Sequence, residues 1–280
     1  MRRTAFLFVA VALTLTVVAG TALAGTIVRC GERFNCFGTD GPDLMVGNGE
    51  SNAMTAYQKS DTLKGRGGQD GLYGDEGNDV LLGGNADDTL EGGPGGDTLV
   101  GVSGNDAYDF YCDEWGRDSI HDTSVPGTVA ETENHVYVGI WKARRDVTID
   151  LDSGPGPEIS SEGGATVGWE GDAIENASIF NAGPENRVFG NGEANLLTVW
   201  GGADTVEGGD GDDEISADDG SGDDTISCGE DEDGQDSDVV FRDPPDPATG
   251  DPGDTVSDDC EVQRGPVEFE LEGAASRTGR

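Results

Sequence analysis

The stretch GRGGQDGLYGDEGNDVLLGGNADDTLEGGPGGDTLV, residues 65–100, is four nine-residue units laid end to end, each opening on Gly and carrying Asp at its sixth place and Leu at its eighth. The same frame runs without a gap over 38–109. There the sixth place is Asp43, Asn52, Asp61, Asp70, Asp79, Asp88, Asp97 and Asp106, and the eighth is Met45, Met54, Leu63, Leu72, Leu81, Leu90, Leu99 and Tyr108. Gly in the first half of a unit and an apolar residue near its end predict a tight turn followed by a very short strand, because Gly tolerates positive φ and close backbone approach. Two units then complete one coil of a parallel two-sheet solenoid, with the eighth-position side chains stacked inside as its only core. The predicted fold class is all-β: a β-roll of nonapeptide repeats with a β-rich insert and an acidic C-terminal loop. Such a core is thin. One large apolar side chain per unit does not offset the entropy of ordering nine backbones, so something besides burial must hold the coils together.

Outside the array the chain divides by composition. Residues 1–24 join a basic start, Arg2 and Arg3, to an apolar run and Ala22-Leu23-Ala24, which reads as a cleaved Sec-type signal and predicts a secreted, extracellular protein. Residues 25–37 form an N-terminal cap. Over 110–180 the nine-residue frame is lost in favour of short strand-like runs with Trp115, Trp141 and Trp169, expected to form extra coils or a hairpin pair covering the solenoid. The frame returns over 181–227, with Asn186, Asn195, Asp204, Asp213 and Asp224 at the sixth place. An acidic, proline-rich loop follows over 228–261, then a tail over 262–280.

The formal charge is −41, and loss of the two N-terminal arginines with the signal makes it about −43. A surface this acidic repels nucleic acid and anionic lipid and attracts cations, so nucleic-acid partners and membrane insertion are disfavoured. Five cysteines in an exported chain predict oxidation with one left over. Proximity suggests Cys30 with Cys36 and Cys228 with Cys260, leaving Cys112, although spacing alone leaves other pairings open.

Stacked turns of this form place a carboxylate and several backbone carbonyls at the same level of every coil. Two carboxylates about 6 Å apart repel by roughly 3 kcal/mol at an effective dielectric of 20, and a hard divalent cation reverses that sign. Calcium suits the donors, since it takes six to eight oxygen ligands in loose geometry. Zinc and copper prefer His or Cys, which the turns lack.

These units resemble the RTX, or hemolysin-type, calcium-binding repeats that form parallel β-rolls in secreted bacterial toxins, proteases and lipases. The resemblance implies several calcium ions, each between turns n and n+2 and held by both sixth-position Asp residues and by carbonyls of the glycine region. Carried over here it pairs Asp43 with Asp61, Asp61 with Asp79, Asp79 with Asp97, Asp70 with Asp88, Asp88 with Asp106 and Asp204 with Asp224, with Asn195 the earlier partner of Asp213. The fourth-position glycines Gly68, Gly77, Gly95 and Gly104 belong to the best-formed turns. The turn AYQKSD, 56–61, lacks Gly at its first and fourth places and carries Lys59, so a weak entry is expected around Asp61.

No HExxH, HxH or GxSxG arrangement occurs, and His121 and His135 read as surface or strand-end residues. Asn176-Ala177-Ser178 matches a glycosylation acceptor. The expected function is a non-enzymatic, secreted calcium-binding repeat protein, a structural or interaction module whose roll folds on binding Ca2+. The rivals are a polysaccharide-active enzyme with its site in 110–180, and a calcium-stiffened adhesin or cell-surface protein.

Overall fold

The computed structural model describes residues 25–31, 34–110, 117–121, 134–139, 147–151, 159–161, 166–168, 174–180, 185–217, 224–229, 238–242, 253–257, 260 and 262–264. The proposed signal, Cys112, Trp115, Trp141, Trp169, most of the loop between Cys228 and Cys260, and the tail beyond 264 lie outside the described residues.

Every described element is a β-strand, and successive strands fall alternately into two sheets. The first sheet has 13 strands in the order β1 (Thr26–Arg29), β3 (Asp43–Val46), β5 (Thr62–Gly67), β7 (Val80–Asn85), β9 (Thr98–Ser103), β11 (Arg117–Ile120), β15 (Thr166–Gly168), β14 (Ile159–Ser161), β13 (Val147–Asp150), β17 (Arg187–Phe189), β19 (Thr205–Glu207), β21 (Thr225–Ser227) and β23 (Thr255–Val256). The second has 11, in the order β2 (Asn35–Phe37), β4 (Ala53–Thr55), β6 (Gly71–Tyr73), β8 (Thr89–Glu91), β10 (Ala107–Phe110), β12 (His135–Gly139), β16 (Asn176–Phe180), β18 (Leu196–Trp200), β20 (Glu214–Ala217), β22 (Val239–Arg242) and β24 (Val262–Arg264). This is a parallel β-solenoid of the two-sheet, β-roll kind. The two extra strands of the first sheet come from β13, β14 and β15, which run as an antiparallel meander where each other coil contributes a single strand.

The nine-residue period makes this architecture because two units make one coil. From unit to unit of the first array, each strand residue pairs with the one 18 positions on, so Met45, Leu63, Leu81 and Leu99 form one column. Cys36, Met54, Leu72, Leu90 and Tyr108 form the facing one. These side chains are buried, each contributing about 1.5–3 kcal/mol for a Leu- or Met-sized group. Between the arrays the strands β11, β12 and β16 extend both sheets without a break.

The interior holds more than the eighth-position column. In β10, β12, β16, β18 and β20 a second apolar side chain follows two residues later, giving the buried pairs Tyr108/Phe110, Val136/Val138, Ala177/Ile179, Leu197/Val199 and Ile215/Ala217. In β6 and β8 the equivalent place is Gly74 and Gly92. Disulfides Cys30–Cys36 and Cys228–Cys260 tie the chain at the two ends of the roll, the first joining residues beside β1 and within β2.

Candidate metal centre

Side chains two residues apart in a strand point to the same face. Because the eighth position must face inward, the sixth does too. Asp43, Asp61, Asp70, Asp79, Asp88, Asp97, Asp106, Asp204, Asp213 and Asp224 are all buried, none more than 5% exposed. Each array carboxylate is met by the backbone N–H of the sixth-position residue one coil earlier. Asp43 N–H donates to Asp61 Oδ1 at 2.6 Å, Asp61 to Asp79 at 2.7 Å and Asp79 to Asp97 at 2.7 Å. On the facing edge Asn52 donates to Asp70 at 2.7 Å, Asp70 to Asp88 at 2.8 Å and Asp88 to Asp106 at 2.9 Å. The second array repeats the pattern: Asn186 donates to Asp204 at 2.8 Å, Asp204 to Asp224 at 2.7 Å and Asn195 to Asp213 at 2.8 Å. Every pair carried over from the resemblance is thus adjacent in space, joined by an amide-to-carboxylate hydrogen bond.

The other carboxylate oxygen is the unusual one. Oδ2 of Asp61, Asp70, Asp79, Asp88 and Asp97 is buried and has no hydrogen-bond partner. It lies against the first residue of its own turn, so a Cβ added at Gly65, Gly74, Gly83 or Gly92 would overlap the carboxylate of Asp70, Asp79, Asp88 or Asp97. The first-position glycine is therefore a matter of space as well as of backbone freedom. Withholding a carboxylate oxygen from water without a donor is costly. Burial accordingly pushes Asp61, Asp70 and Asp97 up to about 6, against the lowering effect of their amide bonds. Asp88 rises to about 7 and Asp79 to about 8, where the charges of neighbouring Asp residues add to burial.

The fourth-position glycines sit where successive turns touch. Gly68 and Gly104 adopt φ of 84° and 135°, in the region L side chains avoid. Gly77 and Gly95 face each other in a parallel bridge, and a Cβ on either would strike a carbonyl, that of Lys59 for Gly77 and that of Gly77 for Gly95. The Gly95 carbonyl accepts the Arg117 N–H at 3.2 Å. The strained backbone is spread more widely than the single irregular turn expected from sequence. Tyr57, Arg66, Asp75 and Val102 at second positions, and Lys59 and Ala86 at fourth positions, all have φ between 61° and 96°. The AYQKSD turn nevertheless keeps Asp61 buried and in line with Asp43 and Asp79.

Four ladder residues escaped the sequence reading because they fall outside the nine-residue frame. Asp118 accepts the Asp97 N–H at 2.8 Å, and Asn134 accepts the Asp106 N–H at 2.8 Å. Asp238 accepts from Asp213 at 2.8 Å and Asp254 from Asp224 at 3.3 Å. Asp118 is buried with Oδ2 unpartnered, and burial raises it to about 7. Their common signal is local: Asp or Asn two residues before a buried Ile or Val, or a Val packed against the core, as in Asp118-Ser-Ile120 and Asp254-Thr-Val256.

His135 opens β12, stacks on Tyr137 at 4.0 Å, shares a 2.8 Å hydrogen bond between Nε2 and Ser178 Oγ, and is lowered to about 4 by burial. His121 is exposed just after β11. Asn176 is not the glycosylation acceptor its motif suggests. It is buried within β16 and its Oδ1 accepts the Leu196 N–H at 2.7 Å, leaving no access for a glycan.

Among the described residues no three His, Cys, Asp or Glu side chains converge as a ready-made metal cluster. A cation at the ladder would take one or two carboxylates and complete its shell from main-chain carbonyls and water. The donors are hard oxygens, and the buried, unpartnered Oδ2 atoms are acceptors that a positive charge would satisfy, which fits Ca2+ rather than a metal needing His or Cys. No curated protein matches the chain. A family model described as the RTX calcium-binding nonapeptide repeat, four copies, matches residues 46–81, 73–108 and 185–215. Both arrays are therefore RTX calcium-binding repeats, and the chain carries a calcium-binding repeat module built as a parallel β-roll.

Proposed function

We propose that this is a secreted, non-enzymatic calcium-binding protein whose two arrays fold when Ca2+ enters between stacked turns, making a rigid structural or interaction module. The observation that carries the reading is the two facing rows, Asp61, Asp79 and Asp97 on one edge and Asp70 and Asp88 on the other, buried carboxylates one coil apart within each row and with one oxygen each lacking a partner. The ligands of each ion are the sixth-position Asp pairs with carbonyls from the turns of Gly68, Gly77, Gly95 and Gly104. When bound, the ion supplies positive charge to the ladder. The chain supplies an enclosed column of oxygens, completed as the coils close, and a coil spacing that repeats it. At low calcium the carboxylates repel and the arrays stay expanded; outside the cell, affinities of about 10⁻⁴ to 10⁻³ M allow the coils to close. The two disulfides suit an oxidising exterior.

Calorimetric titration with Ca2+, followed by far-ultraviolet circular dichroism with and without chelator, tests this. Uptake of several ions and a β signal that collapses in chelator are expected. A β signal indifferent to chelator would overturn the reading.

A further inference from the structure

The first array and the second-sheet strands that follow it fill one interior position in opposite ways. In the first array the residue entering a turn is Gly, as at Gly65, Gly74, Gly83 and Gly92, and the space beneath it is taken by the next Asp carboxylate. In five neighbouring strands of the second sheet, β10, β12, β16, β18 and β20, that place holds Phe110, Val138, Ile179, Val199 and Ala217, all buried. The apolar filling of these coils is therefore doubled.

The polar ladder changes character at β12 and β18, where Asn134 and Asn195 stand in place of acids. Asn134 replaces an acid, accepts the Asp106 N–H, and sends its own N–H to Glu175 Oε2 at 2.8 Å. The Asn195 amide is fully employed. Its Oδ1 accepts the Asn191 N–H at 2.8 Å, while Nδ2 donates to the Glu175 carbonyl at 2.8 Å and to Asn191 Oδ1 at 3.0 Å. Strand β16, at the middle, is buried on both faces from Asn176 to Ile179. Ladder positions held by hydrogen-bonded Asn amides beside a double apolar column have no need of a cation, whereas a lone Leu beside a buried carboxylate with an unpartnered oxygen does.

We infer that the central block, β12 and β16 with β18, the second-sheet strand by which the second array joins them, folds without calcium and is the seed onto which the first array and the rest of the second zip from opposite sides when calcium arrives. Solenoid coils are stabilised by their immediate neighbours, so a preformed central coil gives each array a template edge that an isolated array lacks. The inference rests on the calcium reading of the arrays and adds the order in which the roll assembles.

Hydrogen exchange read by mass spectrometry on the full-length chain, in chelator and then in saturating calcium, separates the two. In chelator, segments 134–139, 176–180 and 196–200 are expected to keep at least about 100-fold protection while 62–73 and 80–91 have none, and calcium then protects all of them. Loss of protection in the centre together with the arrays overturns the seed but leaves the calcium reading standing. Array segments protected equally with and without calcium overturn the calcium reading, and the seed with it. Two variants read in saturating calcium give a second check. Ile179→Ala should weaken protection in both arrays, and Leu72→Ala should weaken only the first. If Leu72→Ala melts the centre as well, the proposed order of assembly is wrong.

Discussion

A single aspartate shows the conflict on which this molecule is built. Asp79 accepts a hydrogen bond from the Asp61 N–H and lies beneath Gly74, yet its second oxygen is buried without a donor and the charges of Asp97 and Asp61 bear on it. Asp79→Asn keeps a hydrogen-bond acceptor and removes the charge. Its expected effect changes sign with conditions: the first array should recover part of its β signal in chelator, a gain of about 1–2 kcal/mol, and calcium affinity should fall. Circular dichroism in chelator and a calcium titration check this, and a variant with no gain of β signal in chelator would show that the charge is not the source of strain. The second-position Val102 is a β-branched residue at φ 96°, where only Gly is at ease. Val102→Gly should stabilise the roll by about 1 kcal/mol, seen as a higher melting temperature in calcium.

At the scale of the strand and turn, a thin core makes each rung matter. Leu81 is fully buried and stacked in register between Leu63 and Leu99, so Leu81→Ala should cost about 2–5 kcal/mol of local stability. Hydrogen exchange should place the damage in β5, β7 and β9 and leave the second array unchanged. The turns are equally intolerant. Gly77→Ala would drive a Cβ into the Lys59 carbonyl and separate the two coils, and a destabilisation of about 1–3 kcal/mol is expected by calcium-dependent melting. The Pleat parity of the strand links these effects: positions six, eight and one of the next unit share the inner face, so Asp, Leu and Gly are three parts of one packing problem.

For the whole molecule the acidic ladder sets the response to pH. Asp61, Asp70, Asp79, Asp88 and Asp97 lie at about 6 to 8 in the fold, above the ordinary carboxylate value of 3.8. A carboxyl group raised on folding favours the folded state while it is protonated, and that contribution is lost as pH rises through 6 to 8. In chelator, lowering the pH from 8 toward 5 should therefore restore the β signal that removal of calcium abolishes. A β signal in chelator that falls on acidification would contradict this sign. With calcium bound, the pH dependence should flatten on the alkaline side, because the ion replaces the proton as counter-charge.

The period, the two units per coil, the stacked apolar column and the ten sixth-position Asp residues were all legible in the sequence, because a constant nine-residue spacing is itself the geometry of the coil. The inward aim of the acids was implicit in the same spacing, since positions six and eight share a pleat face. Tertiary structure alone decided how the ladder continues. Asp118, Asn134, Asp238 and Asp254 are separated from their partners by 21, 28, 25 and 30 residues, yet accept the same backbone hydrogen bond as the regular rungs at 18. Lateral hydrogen bonding demands that neighbouring coils align in space whatever the length of chain between them, so no fixed spacing could reveal those rungs. The same alignment decided which non-glycine residues take positive φ and where apolar side chains replace the glycines, because both follow from the coil above and below rather than from the unit itself.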